Sequence, residues 1–463
     1  MDKSDSNSKY IALGSAALLF GGIIGWNYLK NNDSSKNKRD KLTYKYPNKE
    51  DHQKRREILK GHPDYNIFLS FTEDEELFSM RVRITFEVEK LDELFLDFMK
   101  KGITELKVND KSILNKKDKN LFGCNRIWIA SKYLKLGENT IETIAKVNFN
   151  TSDNGIMHRN GYVKIYGGFN NIAEIIPSFN QNDIRAKFRL TVSHPKSWTV
   201  ISNQKASKNT DSIVNFIDSK FYKQFLKETE EMKDEIKLTT FLKTKLLPVY
   251  SLAFCGGEFS KFQSKSKYRR IRPVFYYPND FSLPNLDSIF ERMGKIQTFT
   301  LDYMTKMTGV RYPFAKCDNV FGYFSGYAWE YPGCITYSMD YLTNCNDGNF
   351  DLTQLYTLVV HETIHMWFGN MVTCQEWDQA FLHEGLVNYL ETIVYSEFCK
   401  KNVDEKSAFG DQLMSTLSFY QAYLMDVYVK KDDQYDMGRA VYEPVSKKKR
   451  IFPNAMFLSL IHI

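Results

Sequence analysis

Between about residue 60 and residue 260, apolar and polar positions alternate with period two in short runs. Phe78–Phe86 (FSMRVRITF), Ala186–Val192 (AKFRLTV) and Ser197–Ile201 (SWTVI) are examples, and turn residues separate them. Alternation of this kind puts one set of side chains on a buried face and the other on a wet one, so residues 57–262 are expected to form an all-β domain, a sandwich. From about residue 285 the period lengthens. Asp287–Met307 and Leu352–Asn370 carry apolar residues at helical spacing, and Phe381–Phe398 reads as a further helix. A short sheet is expected around 319–338. Residues 263–463 therefore read as a second, mainly α-helical domain, and the chain shows no internal repeats.

The N-terminus follows neither period. Residues 10–29 (YIALGSAALLFGGIIGWNYL) contain no charge and are bracketed by Lys9 and Lys30. Twenty helical residues span about 30 Å, the thickness of a bilayer core. The expectation is a single-pass transmembrane anchor after a short tail, residues 1–9. Gly21 and Gly25 form a G-x-x-x-G that would suit helix pairing. Residues 30–56 are polar and aperiodic and read as a tether. Lys3 and Lys9 precede the anchor, whereas Lys30, Lys36, Lys38, Arg39, Lys41 and Lys45 follow it, which places the rest of the chain on the cytoplasmic side. Glycosylation sequons at Asn32 and Asn150 would matter only on the opposite side.

Composition changes this picture little. Of 463 residues, 43% are hydrophobic and 15% aromatic, enough for real cores. The formal net charge of +7 is modest and concentrated in residues 30–60 and Lys447–Arg450. No basic stripe is interleaved with aromatics, which argues against nucleic acid as a partner. The seven cysteines form no C-x-x-C pair and suggest no disulfide framework, leaning towards a reducing compartment.

Chemistry enters at Leu358–Gly369 (LVVHETIHMWFG), which contains H-E-x-x-H. On a helix, His361 and His365 share one face and can reach one metal ion. A catalytic zinc takes three protein ligands and keeps a fourth position for water. Glu384, eighteen residues beyond His365, stands near the start of the next periodic segment and is the expected third ligand. Glu362 would take the proton as water attacks a carbonyl and pass it to the leaving amine. His383 reads as a neighbour of the site and not a ligand.

The segment His361–Glu391 (HETIHMWFGNMVTCQEWDQAFLHEGLVNYLE) resembles the aminopeptidase N family of gluzincins, in which H-E-x-x-H is followed by eighteen residues and a glutamate within N-E-G. Further segments are similar to that family: Phe179–Ala186 (FNQNDIRA), His194–Asn203 (HPKSWTVISN), Leu246–Phe259 (LLPVYSLAFCGGEF) and Arg311–Asp318 (RYPFAKCD). The resemblance covers roughly residues 60–463. It implies a β-saddle domain, then a thermolysin-like zinc metallopeptidase domain, and release of single residues from the free N-terminus of peptides. Ala328–Gly333 (AWEYPG) stands where the family carries G-A-M-E-N, so Glu330 would bind the substrate's α-ammonium.

Four departures are visible. Gly168, in Tyr166–Phe169 (YGGF), stands where the family has a glutamine in Y-x-Q-F, and Asn180 replaces an aspartate. The best alignment of Ile451–Met456 (IFPNAM) puts Phe452 at the family's oxyanion tyrosine, with Tyr442 as the substitute in another register. The chain ends at Ile463, inside an expected helix, so the catalytic domain is expected to be incomplete at its C-terminus. Two rivals follow: a catalytically weak or inactive relative that binds peptides or a partner protein, and a hydrolase of another small substrate. The family also allows an extracellular or lumenal catalytic domain, against the flanking charges.

Overall fold

The computed structural model describes residues 49–71, 76–99, 102–115, 121–150, 155–168, 171–208, 236–324, 328–343, 352–376, 379 and 382–402. The expected anchor at 10–29, and Tyr442, Phe452 and the C-terminal segment, lie outside them. Among the described residues no helix is long and apolar enough to cross a membrane. The chain divides into two compact units, one of residues Lys45–Glu376 and one that takes in Trp377 onward together with the N-terminal residues.

The first unit opens with helix α1, Lys49–Ile58. It begins inside the stretch expected to be an unstructured tether, and its own charges explain the difference. Glu50 and Asp51 occupy its first turn and Arg55 and Arg56 its last, each favourable to the helix dipole. Arg55 is fully buried and donates to Asp97 Oδ2 at 2.7 Å, and Arg126 donates to Asp51 at 2.7 Å. Both guanidinium groups lie over the Phe95 ring at 4.1 Å. A polar helix thus gains tertiary structure through buried ion pairs, which hydrophobic periodicity does not register.

The period-two runs form strands as expected. A seven-stranded sheet holds Leu59–Ser70 between Leu77–Val88, its antiparallel neighbour, and Lys187–Pro195, its parallel neighbour. A four-stranded sheet joins Thr199–Ser202, Phe254–Gly257, Tyr162–Tyr166 and Gly155–Arg159, and a three-stranded one completes this β-rich portion.

A second four-stranded sheet carries the site. Its order is Phe259–Gln263, Val274–Pro278, Asp318–Gly322 and Cys334–Ser338, with the first pair antiparallel and the rest parallel. The strand Phe259–Gln263 crosses position 262, where the sequence suggested a domain boundary. Helix α2, Leu286–Thr308, packs on this sheet with Ile289, Phe290, Met293, Ile296, Leu301 and Met304 buried at helical spacing, and ends at Gly309 in the left-handed region. The Phe290 ring stacks on Phe275 at 5.0 Å. Two further helices follow, the short α3 at Asp340–Thr343 and α4 at Leu352–Ile364. Helix α4 is shorter than the periodic segment to Asn370, because the chain turns after His365 and Gly369 takes φ 126°. The second unit contains helix α5, Glu384–Asn402, with Val387, Leu390, Val394, Tyr395 and Phe398 buried. A β-rich N-terminal portion followed by a helical region is therefore the observed architecture.

Candidate metal centre

His361 and Glu362 occupy the last turn of α4, and His365 extends it by one α-type bond, its N–H donating to His361 O at 3.2 Å. The two imidazoles face each other with Nε2 atoms 3.0 Å apart. His365 Nδ1 lies 2.9 Å from the carbonyl oxygen of Phe368, which only accepts. Nδ1 must therefore carry the proton, and in the neutral ring the lone pair sits on Nε2, aimed at His361. Two nitrogens bound to zinc at about 2.0–2.1 Å in tetrahedral array lie about 3.3 Å apart. The observed separation is within a few tenths of an ångström of that, so the histidine pair fits a zinc ion, with the carbonyl as the orienting partner such ligands generally have.

Glu362 is 5% exposed. From its chain neighbour Thr363 runs a chain of buried amides and hydroxyls. Gln297 on α2 and Asn319 on the sheet exchange amide hydrogen bonds at 3.0 and 2.9 Å. Gln297 Nε2 also reaches Thr363 Oγ1 at 3.4 Å, and Tyr337 donates to Asn319 Oδ1 at 3.3 Å. The Tyr337 hydroxyl is held well above the usual phenol range, first by burial and then by the charge of Glu362. It stays a neutral donor beside a carboxylate.

Glu330 is 4% exposed and sits on a strand-like segment at the outer edge of the sheet. Trp329 and Thr336 exchange backbone hydrogen bonds at 2.8 and 3.0 Å. The turn that follows has Pro332 then Gly333, closed by Cys334 N donating to Tyr331 O at 2.9 Å, and Gly333 has φ 74°. Proline followed by a positive-φ glycine is the type II signature. A Cβ at Gly333 would also lie 2.6 Å from Asn203 O. Three side chains fasten the turn. Lys316, paired with Asp318 at 2.5 Å, donates to Gly333 O at 3.0 Å, and Asn203 donates to Pro332 O at 3.1 Å. Tyr331 OH accepts from Gly167 N and donates to Ile165 O. The segments RYPFAKCD and HPKSWTVISN thus converge on the loop that carries Glu330.

The first unit brings together His361, Glu362, His365 and Glu330. A Glu330 carboxylate oxygen and a His365 ring nitrogen lie within 4.8 Å. Glu384 opens α5 in the second unit, with His383 Nε2 3.6 Å from its Oε1, beyond hydrogen-bond length. Gly168 and Asn180 are both buried, and the Trp329 indole occupies the space beside Gly168. Sequence reasoning missed Gln297, Asn319, Tyr337, Lys316 and Asn370. Each is a buried polar residue whose role depends on partners distant in sequence, and no local spacing marks them.

Residues 294–449 match the peptidase family M1 domain. The chain is similar to aminopeptidase N of Streptomyces lividans, 26% identical over 345 residues that cover 71% of this chain and 36% of that protein. It is similar to aminopeptidase 2 of Candida albicans, 25% identical over 279 residues, 59% of this chain and 27% of that protein. It is similar to glutamyl aminopeptidase of Mus musculus, 25% identical over 282 residues, 59% of this chain and 25% of that protein. The matched stretch thus spans 25% to 36% of the length of these three relatives.

Proposed function

We propose that this chain, which belongs to the aminopeptidase N family of gluzincins, removes single residues from the free N-terminus of peptides, using zinc held by His361, His365 and Glu384. The proposal includes the β-saddle and thermolysin-like domains that the resemblance implies. It rests on the two imidazole nitrogens that converge at 3.0 Å over a buried glutamate one residue away. Zinc, when bound, supplies a Lewis acid to the peptide carbonyl and makes water acidic enough to attack at neutral pH.

The chain's own residues do the rest. Glu362, desolvated and backed by the Thr363–Gln297–Asn319 chain, accepts the proton of the attacking water. It returns that proton to the departing amine, so one carboxylate serves as base and then acid. Glu330 accepts the substrate's α-ammonium in a charge-assisted bond and excludes blocked N-termini. The fixed turn around Pro332–Gly333 sets where that anchor stands.

The test is hydrolysis of free and N-acetylated aminoacyl amides by the full chain, with a chelator and the Glu362→Gln variant. Expected is chelator-sensitive cleavage of free substrates alone, reduced about 10²–10⁴-fold in Glu362→Gln. Folded, zinc-loaded protein without turnover sinks the enzyme reading. It would favour the second one, a peptide-binding relative of weak or no activity, for which the indole beside Gly168 is the specific support. Residues 10–29 are proposed as a membrane anchor, supported by their charge-free composition. Recovery of the full chain in the alkaline-carbonate supernatant would refute that.

A further inference from the structure

We propose that Asn370 is a positioning residue that fixes the distance between the amine anchor Glu330 and the end of the zinc helix, and thereby sets how far from the reacting carbonyl a substrate's ammonium must lie. The inference rests on the reading of Glu330 and His365 given above.

Asn370 is 1% exposed, and the structure gives all four of its polar groups a partner. Its backbone N–H donates to His365 O at 3.0 Å, which ties it to a proposed zinc ligand. Its side-chain Nδ2 donates to the backbone carbonyl of Glu330 at 2.6 Å, which ties it to the proposed anchor. Ser251 Oγ donates to its Oδ1 at 3.5 Å, and Arg185 Nη1 donates to its carbonyl at 3.1 Å. One residue thus bridges His365, through its backbone N–H, and Glu330, through a short side chain whose amide is held at both ends. The flanking residues hold this bridge still. Tyr250 OH donates to Gly369 O at 3.1 Å, and Arg185 Nη2 donates to Thr373 Oγ1 at 2.8 Å.

The choice of asparagine follows from the chemistry. The bridge needs a donor towards Glu330 O and an acceptor towards Ser251, and a primary amide supplies both from one planar group. A carboxylate would set an acceptor against an acceptor. An aliphatic residue would leave the buried Glu330 carbonyl without its donor. An aminopeptidase depends on this spacing, because the anchor selects a free N-terminus only if the ammonium reaches it while the first peptide carbonyl is in place.

The experiment measures binding and turnover for three probe types, all on the full chain. They are α-aminoacyl glycinamides, their N-acetyl forms, and β-alanyl glycinamide, in which one extra methylene separates amine from carbonyl. Binding is read by calorimetry in a Glu362→Gln background, so that nothing is consumed. Zinc content is measured alongside. With Asn370→Ala, kcat/KM for α-aminoacyl probes should fall about 10–100-fold. The preference for free over acetylated probes, and for α over β, should narrow, with zinc content unchanged. A loss of folded protein scales all probes alike and leaves these ratios where they were. Asn370→Asp keeps the size and the backbone bonds, and serves if the alanine variant does not fold.

Unchanged ratios in a folded, zinc-loaded variant overturn the inference while leaving the aminopeptidase reading intact. Zinc lost in step with affinity also overturns it, because Asn370 would then act through His365 alone. A wild-type chain that binds free and acetylated probes equally overturns the functional reading, and this inference with it.

Discussion

Substituting glutamine at Gly168 would restore the residue that the aminopeptidase N family carries there, yet this fold should reject it. A Cβ on Gly168 would lie 2.7 Å from Trp329 Cη2, 2.9 Å from Cζ2 and 3.1 Å from Tyr166 Cζ. Unstrained carbons approach to about 3.5–4.0 Å, so the indole would have to retreat by about 1 Å. It has little freedom to do so. Its backbone is paired in both directions with Thr336, and its ring packs edgewise on Tyr166 at 5.0 Å between centroids. Overpacking of this kind costs about 1–3 kcal/mol. The family's loop has methionine where this chain has Trp329, so Trp329→Met should open the space that a glutamine needs. The expectation is therefore a coupling: Gly168→Gln costs about 1–2 kcal/mol less in the Trp329→Met background than alone. Urea unfolding of the four proteins, followed by far-UV circular dichroism, measures it. Additivity within about 0.5 kcal/mol would show that the indole does not exclude the side chain, and the steric account would fail.

Three other outcomes are expected. Asp97→Ala leaves the buried Arg55 guanidinium without its carboxylate and should destabilise the fold by about 3–5 kcal/mol, read as a fall in the urea midpoint. His52 and His194 are both held below the usual imidazole range, chiefly by burial. Their folded forms thus bind protons less readily than the unfolded chain, so stability is full above the unfolded value near 6.5 and declines as pH falls through the lowered folded values. The unfolding midpoint should drop across that window, and His194→Gln should flatten the drop; a slope unchanged by that substitution counts against burial as the cause. A chelator should lower the thermal midpoint of the wild type but move His361→Ala/His365→Ala hardly at all, since only an intact donor pair gives zinc a folded-state site.

The strands were legible where one face is buried and the other wet. Leu77–Val88 alternates in burial much as it alternates in sequence, and Lys187–Leu190 does the same before the strand becomes buried on both faces from Leu190 to His194. Helix α2 was legible for the same reason at the helical period. Helix α1 was not, because apart from Ile58 its buried residues are His52 and Arg55, whose partners Glu376 and Asp97 lie hundreds or tens of residues away. The meeting of His361 and His365 was legible because a four-residue spacing puts two side chains on one face of a helix. The supports around them were not. Asn370 follows directly on Leu358–Gly369, the segment that suggested zinc, yet nothing in its spacing distinguishes a hub with four partners from a loop asparagine.

Gly168 and Trp329 lie 161 positions apart in the sequence. In the fold they are neighbours: the Trp329 ring fills the space in which a side chain at position 168 would stand, and Tyr331 ties the same two segments together through Gly167 N and Ile165 O. On the proposed reading of Glu330, the space beside it holds apolar packing and no polar side chain from position 168, so amine selection would rest on where that one carboxylate stands. The backbone of Glu330 is in turn held by Asn370, just beyond the end of helix α4. The proposed amine selection would thus depend on the same packed segments that leave position 168 no room for a side chain.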